Sequence, residues 1–155
     1  MNSKSPQESR VEMTELVLPE HTNALGTIFG GQIMAWLDTA AAICAYRHCR
    51  MQCVTASMDT LNFISPVKLG YIVILKASIN FTGKTSMEIG VRVTAEDPLT
   101  GTQAHTASAY LTFVAVDEKG KPCAVPPVTP QTDEEKRRYS EGQKRKAARM
   151  AHKKM

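Results

Sequence analysis

The sequence predicts an α+β fold in which an antiparallel sheet of about five strands wraps around one central helix, with a basic helix at the C-terminal end. Three observations predict it. The run from about Gly31 to His48 carries Ile33, Met34, Trp36, Leu37, Ala40, Ala41, Ala42 and Ile43, so it is apolar on almost every side and expected to be buried. After it the pattern switches to period-two alternation, and short turns between the alternating segments make consecutive strands antiparallel. Residues 133 to 155 hold nine Lys or Arg against four acids.

Each element has a local reason. Val11 to Leu18 is rich in Val, Leu and Thr, which suits a first strand, and Pro19 ends it. The central helix follows, opened by Gly30-Gly31. Val54 to Phe63 has the composition of a second strand. Tyr71 to Phe81 alternates more clearly, with Tyr71, Val73, Leu75, Ala77, Ile79 and Phe81 on one face and Lys76, Ser78 and Asn80 on the other. Gly83-Lys84 marks a hairpin, after which Met87, Ile89, Val91 and Val93 alternate with Glu88, Gly90, Arg92 and Thr94. Asp97 to Gly101 is a second turn, and His105 to Val116 is a long final strand ending at Asp117-Glu118-Lys119-Gly120. Pro122, Pro126, Pro127 and Pro130 then carry the chain off the sheet. Thr132 and Glu135 have capping-box spacing, so a terminal helix starts near Asp133.

The length fits one domain, expected over residues 1–130, with 131–155 as a basic helical extension. No stretch approaches the ~20 apolar residues that span a bilayer, and the polar start MNSKSPQESR has no apolar signal region, so no membrane insertion and a cytoplasmic location are expected. Cys44, Cys49, Cys53 and Cys123 form no CxxC pair and read as reduced, mostly buried thiols. His48, Cys49 and Cys53 match no common zinc spacing, so no metal site is expected. The net charge of +4 belongs to the tail, because residues 1 to 132 hold ten bases and eleven acids. Such a tail attracts phosphate-bearing molecules in general, and a solvated helix explains it as well as any specific nucleic-acid partner would.

The anomaly is Asp38, a carboxylate in the apolar run. Unpartnered burial of a charge costs several kcal/mol, so Asp38 is paired, protonated or functional. Gly30-Gly31 permits a tight entry to the helix, and the first-turn N–H groups point at whatever lies in front of it, where a carbonyl would be polarised. Asn23 in the preceding loop can support a turn or position a water. Together, a loop amide, a Gly-Gly helix start and a carboxylate offer a water-positioning group, an oxyanion site and a general base.

The segment HTNALGTIFGGQIMAWLDTAAAICA resembles the central-helix region of hotdog-fold acyl-CoA thioesterases, and the likeness continues through VTASMDTLNFISPVKLG, GKTSMEIGVRV, LTG and TFVAVDEKGKP. It covers roughly residues 10 to 130. The resemblance implies a single hotdog domain that hydrolyses fatty acyl-CoA to free fatty acid and CoA, with no metal or redox cofactor. It implies a homodimer as the minimal active unit, assembled as a hexamer of three dimers, in which Asn23 of one subunit and Asp38 of the other complete each site. Asp38 would be general base or nucleophile, Asn23 would bind water or the thioester, and the Gly31 N–H would hold the oxyanion. For CoA the resemblance points to Ala56, Ser57 and Met58, to Thr85, Ser86 and Met87, and to Arg145, with Lys144, Lys146 or Arg149 as alternatives to Arg145. A hotdog hydratase or dehydratase would need an acid and a histidine, for which His48 is the nearest candidate, ten residues past Asp38. A non-catalytic acyl-CoA-binding regulatory module has no use for Asn23 and Asp38 together.

Overall fold

The computed structural model describes residues 1–153, and all side chains within them but that of Thr60. Strand β1 spans Val11–Leu16, helix α1 Gly30–Cys49, and strands β2 to β5 span Cys53–Phe63, Ile72–Thr82, Ser86–Glu96 and Gln103–Ala115. Helix α2 covers Asp133–Lys153. The five strands form one sheet in the order β1-β3-β4-β5-β2, antiparallel throughout. β2 therefore returns beside β5, and β1 and β2 are the two edges of the sheet.

The period-two pattern explains which face meets α1. Val73, Leu75, Ala77 and Ile79 of β3, Met87, Ile89, Val91 and Val93 of β4, and Ala107, Ala109, Leu111 and Phe113 of β5 are all buried. Against them lie Ile33, Trp36, Leu37, Ala40, Ala41, Cys44 and Ala45 of α1. β1 stops two residues earlier than expected, because Leu18 N–H donates to His21 Nδ1 and begins a short 3-10 turn over Pro19–His21.

One expectation fails within a single chain. The sheet covers α1 on one side only, and Gly31, Met34, Ala35, Thr39 and Tyr46 are exposed, with Asp38, Ala42 and Ile43 half-buried beside them. These positions recur at three- and four-residue intervals, so they form one continuous stripe along the helix. The helix is apolar all round, but one of its sides faces outward.

The opposite face of the sheet receives α2, which begins with the expected capping box: Glu135 N–H donates to Thr132 Oγ1 and Thr132 N–H to Glu135 Oε1, each at 3.1 Å. Tyr139 meets the Phe81 ring edge-on at 5.0 Å. Gly142 allows close approach, since a Cβ there would lie 2.8 Å from Glu88 Oε2 and 2.9 Å from Phe81 Cβ. The approach buries Asn80 and Glu88, which alternation had placed on a merely polar face, and Asn80 Nδ2 donates to Glu88 Oε2 at 3.1 Å. Residues 122–130 run between β5 and α2, fixed where Val128 N–H donates to Thr82 Oγ1 and where His48 Nε2 meets Pro126 O at 2.6 Å.

Candidate active site

The loop before α1 is built around Asn23. Its Oδ1 accepts from Leu25 N–H at 2.9 Å and Thr27 N–H at 3.3 Å, and its Nδ2 reaches Thr27 Oγ1 at 3.1 Å. Asn23 is thus the keystone of the 23–27 turn, and it is also exposed. The loop is sewn to residues 67–69 by Ile28 N–H to Val67 O and Leu69 N–H to Gly26 O, while His21 packs edge-on against Trp36 at 5.0 Å.

This anchoring aims a bare helix end outward. The N-cap residue Phe29 supplies no side-chain cap, and the first turn of α1 contains no acid. Among the described residues the N–H groups of Gly30 and Gly31 find no partner, and both glycines are exposed. Neither glycine is there for an unusual backbone angle. A Cβ on Gly30 would stand 3.3 Å from the Phe63 ring and one on Gly31 3.3 Å from the Phe29 ring, so both serve close approach. Two unpaired N–H groups at the positive end of a 20-residue helix make a site for developing negative charge. Beside it a cavity of about 290 Å³ is lined by Ile28, Ile33, Phe63, Ile64 and Val67, with Gly30 at its edge.

Asp38 lies seven residues further along, about 10 Å at 1.5 Å per residue, on the open stripe with Met34, Ala35 and Thr39. It is half-buried, not buried as its neighbours in sequence suggested. Its Oδ1 accepts a 2.7 Å hydrogen bond from Thr55 Oγ1 of β2. Thr55 escaped the sequence reading because one threonine in a strand carries no distinguishing pattern. Among the described residues, no hydrogen bond joins Asn23 to Asp38 within one chain.

The CoA candidates fall into two groups. Ala56 is the extra residue of a bulge, where the pairing of β2 with β5 slips between Thr55 and Ser57, and it is exposed while Ser57 and Met58 are half-buried. On the other side of β5, Thr85 and Ser86 are half-buried, but Met87 is a core residue with no exposed surface, so only its backbone could meet a ligand. Register places Ser86 opposite Val114, which in turn faces Val54, so both groups sit at one end of the sheet. Ser57 pairs across Thr112 with Glu88 and so shares the α2 face with Ser86, while Met58 pairs across Leu111 with Ile89 and turns toward α1, as Thr55 does.

Arg145 is already engaged. Its Nε and Nη2 donate to the two carboxylate oxygens of Glu88, each at 2.8 Å, and its guanidinium lies 3.6 Å over the Tyr110 ring. The Glu88 bond raises the Arg145 pKa further above its ordinary value. The base that reaches the Ser86 turn is Lys146, with Nζ 3.5 Å from Ser86 Oγ. Arg149 bonds Asp59 at 2.8 Å, Arg137 bonds Glu141 and Arg138 bonds Glu134, so much of the basic charge of α2 is spent internally. Lys154 lies outside the described residues.

A model of the thioesterase superfamily matches residues 25–102, the stretch that holds the helix start, Asp38 and Thr55. The chain belongs to the thioesterase superfamily. Among thioesterases it is 44% identical over 129 residues to an uncharacterised acyl-CoA thioester hydrolase of Bacillus subtilis, which covers 83% of this chain and 75% of that one. The crystal structure of an apo-hexameric acyl-CoA thioesterase superposes with a TM-score of 0.94 at 45% identity, covering 98% of this thioesterase and 97% of the other. The acyl-CoA hydrolase of Staphylococcus aureus, solved with butyryl coenzyme A, coenzyme A and coenzyme A disulfide, superposes with a TM-score of 0.87 at 40% identity, covering 98% and 95%. That hydrolase has also been solved as alanine variants of an asparagine, an aspartate and a threonine, which follow one another at the intervals that separate Asn23, Asp38 and Thr55.

The helix end remote from Asp38 has no place in the site. His48 is fully buried and bonded to Pro126 O, and its ten-residue separation puts it about 15 Å along the helix from Asp38. His48 and Asp38 of one chain therefore do not form the acid-histidine pair that a hotdog dehydratase would use. Nor do these residues contain a cluster of His, Cys, Asp or Glu fit to hold a metal, or a helix long and apolar enough to cross a membrane.

Proposed function

We propose that this thioesterase hydrolyses fatty acyl-CoA to CoA and the free acid, with Asp38 in the reacting role, and that it works as a homodimer at least. The observation that carries the reading is Asp38 itself: a half-open carboxylate, held by Thr55 on an apolar stripe, in line with an uncapped Gly-Gly helix start. Because Gly31 and Asp38 lie about 10 Å apart in one chain, the thioester carbonyl attacked at Asp38 sits at the Gly31 N–H of an apposed copy, where the helix end favours the tetrahedral oxyanion, and a donor of this kind is worth roughly 10²–10³ in rate. As general base, Asp38 takes a proton from the attacking water; the carbon–sulfur bond then breaks and the proton goes to the departing CoA sulfur. As nucleophile, Asp38 attacks the carbonyl and releases CoA, and water then cleaves the resulting mixed anhydride. Either route balances with water as the only co-reactant and calls on no metal or redox cofactor.

The open stripe of α1 and the free edge of β2 are both left unsatisfied by one chain. A second copy laid against them covers Met34, Ala35 and Tyr46 and brings its own Asn23 loop toward Asp38. Hexameric relatives support assembly of three such dimers here. CoA then lies with its phosphates near Ser86 and Lys146, drawn from the α2 face of a neighbouring chain. A relative named a cytosolic acyl coenzyme A thioester hydrolase in Rattus norvegicus, 37% identical over 150 residues, supports a cytoplasmic location. The test is thiol release from acyl-CoA of increasing chain length. Wild type should turn over, and Asp38→Ala should lose at least roughly 10³ in kcat while keeping its oligomeric state. Tight binding of acyl-CoA with no thiol released by wild type would sink the enzymatic reading in favour of a binding module.

A further inference from the structure

Leu25 stands 87% exposed at the apex of the turn that holds Asn23. A lone exposed leucine needs no explanation, but this one is tied to the amide beside it. Leu25 N–H donates to Asn23 Oδ1 at 2.9 Å, so the Leu25 Cβ lies no more than about 6 Å from that oxygen. Asn23 N–H donates to Thr27 O at 2.9 Å, Gly26 N–H to Asn23 O at 3.1 Å, and Leu69 N–H to Gly26 O at 3.0 Å. Gly26 turns the chain at φ 77°, a left-handed conformation that glycine takes without strain. Asn23 and Leu25 are therefore one rigid piece, and a surface that receives the amide receives the leucine too.

The open stripe of α1 carries a notch suited to it. Gly31, Met34, Ala35 and Asp38 stand at i, i+3, i+4 and i+7, the four positions that form a hole for one knob from a facing element. The first three are exposed and Asp38 is half-buried. Gly31 and Ala35 keep the notch deep between the Met34 side chain and the Asp38 carboxylate, and the Phe29 ring, 3.3 Å from where a Gly31 Cβ would lie, bounds its N-terminal end. Thr55 holds Asp38 from the β2 side, so the flank toward the notch is the one left open to water. On the reading that Asn23 of one chain serves Asp38 of another, we propose that Leu25 is the knob that seats in this notch of a second copy of the chain, setting how far the Asn23 amide reaches and closing the open flank of Asp38. Leu25 is a positioning residue. Its aliphatic side chain offers no hydrogen bond that could compete for the attacking water, and its bulk stops the turn at one depth.

Leu25 meets solvent in its own chain, so a polar substitution leaves the protomer folded. Leu25→Asp sets a second carboxylate against Asp38; kcat should fall at least about tenfold, and the acid limb of kcat/KM should move up by roughly one pH unit. Leu25→Met, which keeps an apolar knob, should restore the limb. Co-expression of full-length chains in equal amounts tells which Asp38 is affected. Leu25→Asp with Asp38→Ala should recover about a quarter of wild-type turnover, the share of sites that combine Asp38 of one chain with Leu25 of the other when pairing is random. Asn23→Ala with Asp38→Ala should recover as much. Leu25→Cys with Ala35→Cys, both carrying Cys123→Ser because the other three native thiols are buried, should give on oxidation a disulfide-linked pair whose intact mass is that of one chain of each kind. An unmoved acid limb, recovery by the Asn23 mixture but not by the Leu25 mixture, or hybrids with no mixed linkage overturns the place given to Leu25 and leaves the shared site standing. Failure of both mixtures overturns the shared site, and the role of Leu25 with it.

Discussion

Replacing Arg145 with Met separates two roles that the same residue could play. The Glu88 side chain is 1% exposed, and Arg145 meets both of its oxygens at 2.8 Å. Removing one partner of a buried ion pair costs roughly 3–5 kcal/mol, because the other charge is left stranded. Asn80 Nδ2 at 3.1 Å and Arg149 at 4.0 Å still face Glu88, which puts Arg145→Met toward the lower end, about 3 kcal/mol. For a chain of this size that is a Tm lower by about 6–12 °C. Changing both residues, Glu88→Met with Arg145→Met, removes the stranded charge and should recover more than about half of the loss. Urea or thermal unfolding of the two variants gives the stabilities, and KM for acyl-CoA measured well below the melting temperature gives the ligand contribution. If Arg145→Met unfolds within about 0.5 kcal/mol of wild type while KM rises tenfold or more, Arg145 is a CoA ligand and the clamp reasoning is wrong.

Three further outcomes are expected. Thr55→Val keeps the shape of the side chain but removes the 2.7 Å bond to Asp38; a hydrogen bond to a charged group is worth roughly 1.5–3 kcal/mol, so kcat should fall by about tenfold or more with KM little changed. Phe63→Ala opens the 290 Å³ cavity beside Gly30, and a chain-length series should shift its optimum toward longer acyl groups. His48 is buried with Nδ1 unbonded, and burial lowers its pKa from 6.5, so it is neutral when folded and its contribution is present above that value and lost as pH falls through the folded value. His48→Gln can still donate to Pro126 O without titrating, and urea midpoints between about pH 5 and 7 should be flatter for it than for wild type.

The residues say much about the fold and less about what lies across it. Alternation separates the two faces of 86–96 correctly and those of β3 as far as Ile79, where a bulge turns Phe81 from the expected α1 face to α2 and Tyr139, and α1 and the capping box at Thr132 are placed within a residue. What alternation lacks is any sign of which polar face a distant helix will cover. Glu88 and Asn80 read as solvent-facing because their burial depends on Gly142 and Arg145, more than fifty residues away. Asp38 errs in the opposite direction. Its apolar neighbours suggest complete burial, but one sheet can cover only one side of a helix. Thr55 and Lys146 have the same root: each matters through one partner, Asp38 or Ser86, that only the fold brings near.

The half-burial of Asp38 bears directly on how the site is completed. Left facing bulk water, its carboxylate would be a weak base, fully hydrated and with nothing to hold a thioester beside it. Sealed in by apolar side chains, it would be costly as an anion and closed to water. The role proposed for Asp38 needs the state between: a carboxylate fixed by Thr55, walled by Met34 and Ala35, and reached by one water and one acyl group. Within a single chain the Thr55 bond exists and the wall does not, because the stripe from Gly31 to Tyr46 is open. The same chain displays Asn23 on a rigid turn with no bond to Asp38. One apposed copy resolves both features, since the surface that closes the stripe is also the one that would deliver the amide.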